Sequence, residues 1–510
     1  RRRSSLFFFF SFYLQAPHMP ITSQGAQRAL NPLTAILTLS AALALAGCAS
    51  QGPDHPAYKQ LGAQDVGLNA NGSSSSAETL VAAEWSRPLG VPQLNALIDK
   101  AVEGNPSVAV SHARFDKAAA LAQATSTATD VHGSVSASAT REHYSANGMF
   151  PPPLAGNTYN SADLQAGLSW RPDFFGRYAA ELESALGQAR AAKADSAAAA
   201  NQIAEKVARS YVALARLLAQ REVAERTMVQ RQSLLDLSQQ RTRQGLDSQV
   251  ELTQAEAGLP DAGTQIEMLS EQITLARRTI AVLSAEAPDA QRDLTPRLTT
   301  LQVEQVPAVL GVDLLGRRPD VVAARWRVEA ATRGIDSARA DFYPDINLTA
   351  FVGLSSLGLD NLLKGSSRQF GVSPALRLPI FEGERLRAQL RGKQADLDTA
   401  IAQYNGVVLD AVKSAGDAIA SVQSLDRQRR LQTESLSKAE RAYEFAVQRY
   451  RAGLANQIVV LNTETQVITQ RRLAVDLRAR ELDTRIALMA ALGGGWQDDT
   501  ANVQISKRAD

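Results

Sequence analysis

The chain repeats itself, and that duplication restricts its fold more than any other feature. Gln240, Arg241, Arg243, Gly245, Leu246, Gln249 and Glu256 recur as Gln448, Arg449, Arg451, Gly453, Leu454, Gln457 and Glu464, at a constant offset of 208. Asn105, Pro106 and Val108 align with Arg318, Pro319 and Val321 at an offset of 213, and Pro172, Phe174 and Gly176 with Pro379, Phe381 and Gly383 at 207. Matches in the same order, with offsets that differ by at most six, describe two tandem copies. Chance likeness of Ala-rich helices does not keep Pro and Gly in step.

Each copy reads alike: a helix, two alternating segments, a very long helix, a Gly-Leu turn and a returning helix. The long helices are expected over 177–244 and 384–451, about 100 Å each at 1.5 Å per residue. The returning helix 456–492 and the helix 320–342, stacked end to end, would match one of them in length. Leu461, Ile468, Val475, Leu482 and Met489 fall seven apart, a packing seam. A plain two-stranded coiled coil shares that periodicity, and the strand pairs ahead of the long helices argue against it.

Leu164, Ala166, Leu168 and Trp170 alternate with Gln165, Gly167, Ser169 and Arg171, and His132, Ser134, Ser136 and Ser138 share one side of 131–140. In the second copy Ile346, Leu348, Ala350 and Val352 alternate too, while 370–378 carries Pro374 and is the weakest candidate. Segments of about ten residues with this period suit tilted membrane strands.

The sequence divides into upstream residues and a signal peptide at 1–47, an N-terminal tether at 48–93, repeat 1 at 94–286, a joint at 287–317, repeat 2 at 318–497 and a tail at 498–510. Met19 is the better start. Arg28 and the apolar stretch 33–46 then lead to Leu45, Ala46, Gly47 and Cys48, which resembles the bacterial lipobox and predicts acylation of Cys48. Ala49 at the next position implies release to the outer membrane. Residues 49–85, with serines at 73–76, read as a flexible tether. Pro288, Pro296 and Pro307 mark the joint, where an equatorial belt and a plain linker both remain open.

Basic and acidic side chains number 54 and 52, so the chain is no strongly basic nucleic-acid binder. The lone cysteine and five scattered histidines offer no metal-ligand spacing, and no phosphate loop, Ser nucleophile elbow or zinc-protease motif is present. No enzyme, cofactor or metal is expected.

Four strands form a sheet with two bare edges, and unpaired backbone cannot face hydrocarbon. Closure therefore needs other copies. Two chains would give eight strands and a filled bore; three give twelve strands, room for water and twelve helical columns.

The run Leu314, Leu315, Gly316, Arg317, Arg318, Pro319, Asp320 and Val321, the stretch 338–344, the Gly-Leu turns and the ending Gly493, Gly494, Gly495 and Trp496 carry a family resemblance. Over about 85–496 the chain resembles the TolC-type outer membrane factors, in their NodT-like lipoprotein branch. The resemblance implies an α+β membrane protein: a trimeric twelve-stranded β-barrel continued by a long periplasmic α-helical barrel, built from two tandem repeats. It also implies a passive exit duct for small molecules, lipid-anchored in the outer membrane as a homotrimer, fed by an inner membrane pump through a periplasmic adaptor. Carried over, Gly245, Leu246, Gly453 and Leu454 become adaptor-contact tips, although a helix C-cap with a Leu staple explains each turn as well. Acidic gate positions of relatives fall on Val459 and Asn462, neither acidic, and on Glu251 and Gln254 in the first copy. That leaves Glu251 and Asn462 as gate candidates, with a solvated helix-face Glu as the rival for Glu251. Arg325, Trp326 and Arg327 resemble a variant found beside aromatic-acid exporters. A polypeptide secretion duct and a non-channel periplasmic coiled-coil lipoprotein remain as alternatives.

Overall fold

The computed structural model describes residues 56–68, 90–301, 314–493 and 496. Contacts divide the chain after Gln51, and all described residues lie in the second unit, Gly52–Asp510. Cys48 and the expected signal peptide at 1–47 lie outside the described residues.

Helices α1 (Pro92–Gly104) and α2 (Pro106–Ser126) lead to strands β1 (His132–His143) and β2 (Thr158–Trp170), then to α3 (Arg177–Arg243) and α4 (Gln249–Leu283). The second copy runs through a single turn α5 (Leu314–Arg317), α6 (Pro319–Ala340), β3 (Asp345–Leu357), β4 (Arg368–Arg377), α7 (Gly383–Arg451) and α8 (Gln457–Ala491). The two long helices have 67 and 69 residues, about 100 Å each. The first copy differs from expectation at its start, where a further helix, α1, precedes the 21-residue lead helix α2. Asn105 is extended because the following proline excludes the helical basin, so its side chain caps α2 by accepting from Ser107 N at 2.9 Å.

All four strands pair antiparallel in the order β1-β2-β3-β4. The weakest candidate, β4, pairs with β3 over ten residues despite Pro374, and it is the outermost strand of the sheet within one chain. No helix among the described residues is long and apolar enough to cross a membrane.

The largest buried cluster joins α1, α3, α4 and α8, with Leu94, Tyr211, Leu214, Ile280, Leu482 and Ile486 at its centre. The joint contributes Leu294, Leu298 and Leu301 to that cluster, and Arg277 and Arg478 donate to the carbonyls of Leu294 and Leu301. A second cluster packs α6 on α7 around Leu390, Leu397, Tyr404 and Val408. Close helix approach needs small residues: a Cβ on Gly187 of α3 would sit 2.9 Å from the Ala330 Cβ on α6.

The tether is not free throughout its length. Residues 56–68 run along α7, where Asp398 Oδ1 accepts from Ala57 N at 2.7 Å. Asn405 accepts from Leu61 N at 2.8 Å and donates to the Lys59 carbonyl at 2.9 Å, and Leu68 is buried. A backbone that finds such partners is held, which a composition-based reading of a Ser- and Gly-bearing stretch does not reveal.

Candidate functional site

The sheet sorts its side chains by chemistry. On one face stand Val135 and Ala137, their partners Ala166 and Leu164, and then Val352 and Leu354, with Phe370 paired to Val352. Trp170 ends this face beside Leu348. Every large side chain on it except those at the outer ends is apolar, and Val135, Leu168, Val352, Phe370 and Val372 are exposed. The other face carries Ser134, Ser136, Gln165, Ser169, Thr349 and Ser373. An apolar face ten residues long beside a polar one, with the outer edges of β1 and β4 unpaired among the described residues, is the arrangement of a strand set that meets lipid on one side and water on the other.

At the far ends of the long helices both Gly-Leu turns adopt the same geometry. Gly245 (φ +72) and Gly453 (φ +76) occupy the left-handed region, which glycine enters without steric cost. Gly245 N donates to Thr242 O at 3.0 Å and Leu246 N to Arg241 O at 2.9 Å; Gly453 N and Leu454 N repeat the pattern on Tyr450 O and Arg449 O at 3.0 and 2.8 Å. These paired bonds close the last carbonyls of α3 and α7. Leu246 and Leu454 remain 61% and 69% exposed, so neither serves as a buried staple.

The turns are tied together by a contact that no local sequence pattern announces. Arg241 makes a bidentate ion pair with Asp247, Nε to Oδ2 at 3.0 Å and Nη2 to Oδ1 at 3.1 Å, and its Nη1 donates to the Tyr450 carbonyl at 2.9 Å. The Tyr450 hydroxyl donates to Asp247, and the Tyr450 ring lies beneath the guanidinium. All three side chains are nearly excluded from solvent. Burial alone would raise the Asp247 carboxyl, but hydrogen bonds from Arg241 and Tyr450 and the Arg241 charge outweigh it and hold the group below its usual value. Burial, reinforced by the bond to Asp247, pushes the Tyr450 phenol up to about 12. The duplication shows why this knot escaped notice. Arg241 recurs as Arg449, but Asp247 corresponds to Ala455 and Tyr450 to Thr242, so two of the knot's three residues stand where the copies differ.

Glu251 accepts from the backbone of Ser248 at 2.9 Å as the N3 residue of a capping box, a part that neither sequence reading gave it. The hydrogen bonds it gains, the Ser248 hydroxyl first, lower its pKa. Asn462 is exposed on α8, five residues past its first residue. The structure joins the two turns but engages Glu251 with Ser248 rather than with Asn462.

The Arg-Pro-Asp run also has a concrete task. Arg318 grips Asp320 through Nε and Nη2 at 3.0 and 2.7 Å, while Nη1 donates to the Ala491 carbonyl at 3.1 Å, so the start of α6 is fastened to the end of α8. In the first copy Asn105 Nδ2 donates to the Leu283 carbonyl at 3.0 Å, fastening α2 to α4. Trp326 packs among Ala194, Val322, Ala323 and Trp496 beneath Arg190, within the helix contacts.

A profile of the family described as outer membrane efflux protein matches residues 97–286 and 310–494. The chain is similar to the multidrug resistance outer membrane protein MdtP of Shigella flexneri, 30% identical over 484 residues that cover 92% of this chain and 98% of that one. It is 38% identical over 370 residues to the fusaric acid resistance protein FusA of Burkholderia cepacia, with 71% and 69% of the two chains covered. Of solved structures, the outer membrane protein VceC of Vibrio cholerae superposes with a TM-score of 0.77 at 30% identity, over 82% of this chain and all of that one.

Proposed function

The chain belongs to the outer membrane efflux protein family, and from that premise we propose that three copies close into a passive exit duct for small molecules. In this reading each copy supplies four of twelve strands to a barrel in the outer membrane. Its long helices supply a share of a periplasmic tube. An inner membrane pump and a periplasmic adaptor deliver the cargo, and the duct performs no catalysis. Names of relatives that speak of multidrug and fusaric acid resistance support small-molecule cargo over polypeptide cargo.

One observation carries the proposal: a four-stranded sheet with an apolar face, a polar face and both edges open. A single sheet of that kind cannot sit in hydrocarbon with its edge amides unpaired. Acylation of Cys48 would hold the protein to the membrane, and the segment 57–61 bound along α7 supports a tether that runs from that anchor onto the helices. The exposed Leu246 and Leu454 support adaptor contact at the tips, and Glu251 and Asn462, each near one turn, remain the candidates for a gate.

Single-channel conductance of the purified protein in a planar bilayer, paired with its subunit count, tests the duct. Discrete channel currents from a trimer are expected. A monomer, or a trimer that carries no current, would overturn it.

A further inference from the structure

The polar face of the sheet holds one residue out of keeping with its surroundings. Phe351, in the middle of β3, is the single large apolar side chain of that face between the strand ends. Its partners on either side are glycines, Gly167 on β2 and Gly371 on β4. The ring is laid over Gly371: a Cβ built there would come within 2.7 Å of Phe351 Cε1 and 2.9 Å of Cζ. Phe351 is half-buried, one side of the ring against the sheet and the other open.

An aromatic ring backed by bare backbone presents its π surface outward, and that surface attracts other rings and cations. The charges of the same face point the same way. Within the paired strands Glu142, Asp163 and Asp345 stand there against Arg377, and with Arg171, one residue past the end of β2 on the same side, three carboxylates face two guanidiniums, a net −1 per chain.

Resting on the exit-duct reading, in which this face lines the bore, we infer that Phe351 is a contact point for aromatic solutes in transit, and that cationic ones engage it best. Three copies place three such rings around the bore, each on a glycine floor. A passing solute slides onto one ring face, while the carboxylates raise the local concentration of cations.

The test is current block by benzyltrimethylammonium through the reconstituted wild-type duct. F351L, which keeps apolar bulk and loses the π face, is expected to weaken block by about two- to fivefold, the size of an exposed cation–π contact. F351Y keeps the ring and should match wild type. G371A adds a Cβ where the ring now lies, displaces it and should behave as F351L does. D163N should weaken block by the cation and shift the reversal potential in a salt gradient toward lower cation preference. Benzenesulfonate, with the same ring and the opposite charge, should block wild type less. Equal block of wild type and F351L by benzyltrimethylammonium overturns the contact, and equal block by the two probes overturns the preference for cations. A wild-type protein that carries no current overturns the duct instead, so the two failures are distinguishable.

Discussion

Arg241 donates to the Tyr450 carbonyl at 2.9 Å while its guanidinium carbon lies 4.6 Å from the centre of the Tyr450 ring, so one residue of the first turn holds both ends of one residue of the second. The contact crosses from α3 to α7 at the tips, and Asp247 completes it from the loop after α3. Removing Arg241 strands a nearly buried carboxylate. Arg241→Ala should therefore loosen the tips by about 3 kcal/mol, and Tyr450→Phe, which forfeits one hydrogen bond, by about 1 kcal/mol. Amide hydrogen exchange at residues 242–250 and 450–458 reads both. Unchanged exchange in Arg241→Ala would sink the idea that the knot closes the tips.

The same knot fixes a pH dependence. The Asp247 carboxyl is held below its usual value when folded, so the stability it contributes is present above the unfolded carboxylate pKa and is lost as pH falls through the lower folded value. Thermal unfolding of wild type and Asp247→Asn should differ by a constant amount from pH 7 to about 5, and the gap should shrink only below about pH 4. A gap that closes near neutrality would contradict the arrangement.

Opposite faces of the sheet should answer oppositely to charge. Leu168→Arg places a guanidinium on the apolar face and should cost about 2–4 kcal/mol at the depth of the bilayer core, with loss of protein from the outer membrane fraction. Gln165→Arg, three residues away on the polar face, should leave that fraction near wild type. Equal loss from both would mean that the faces are assigned wrongly.

Glycines divide into two kinds. Gly245→Ala meets no neighbouring atom and should cost only the left-handed backbone, about 1 kcal/mol. Gly187→Ala drives a methyl group into Ala330 and should cost about 1–3 kcal/mol by forcing α3 from α6. Chemical denaturation in detergent ranks the two.

Much of the fold was legible because it rests on period and punctuation. The long helices expected at 177–244 and 384–451 are Arg177–Arg243 and Gly383–Arg451, since a Gly-Leu turn ends each and a Gly stands just before the first and at the start of the second. Alternation found β1, β2 and β3, and duplication rescued β4 despite Pro374. The residues at the tips were less legible. Gly245 and Gly453 announce a reversal, but Arg241, Asp247 and Tyr450 meet across 209 positions of sequence, and no local pattern encodes such a meeting. The hold of Asn405 on residues 59–61 spans a longer distance still, 344 and 346 positions, and was equally hidden. Glu251 is a gate candidate or a solvated helix-face carboxylate on the sequence reading, yet its position three residues after Ser248 also marks the capping box that the structure shows.

Asn105 and Arg318 perform one splice with unlike materials: a neutral amide secures the first half, and a guanidinium braced by a carboxylate secures the second. Ionic strength acts on charges and leaves amides alone. Rising salt should therefore loosen the second splice, by a small amount because Arg318 is largely buried, and leave the first untouched, so that two halves of common origin answer differently to the same solution.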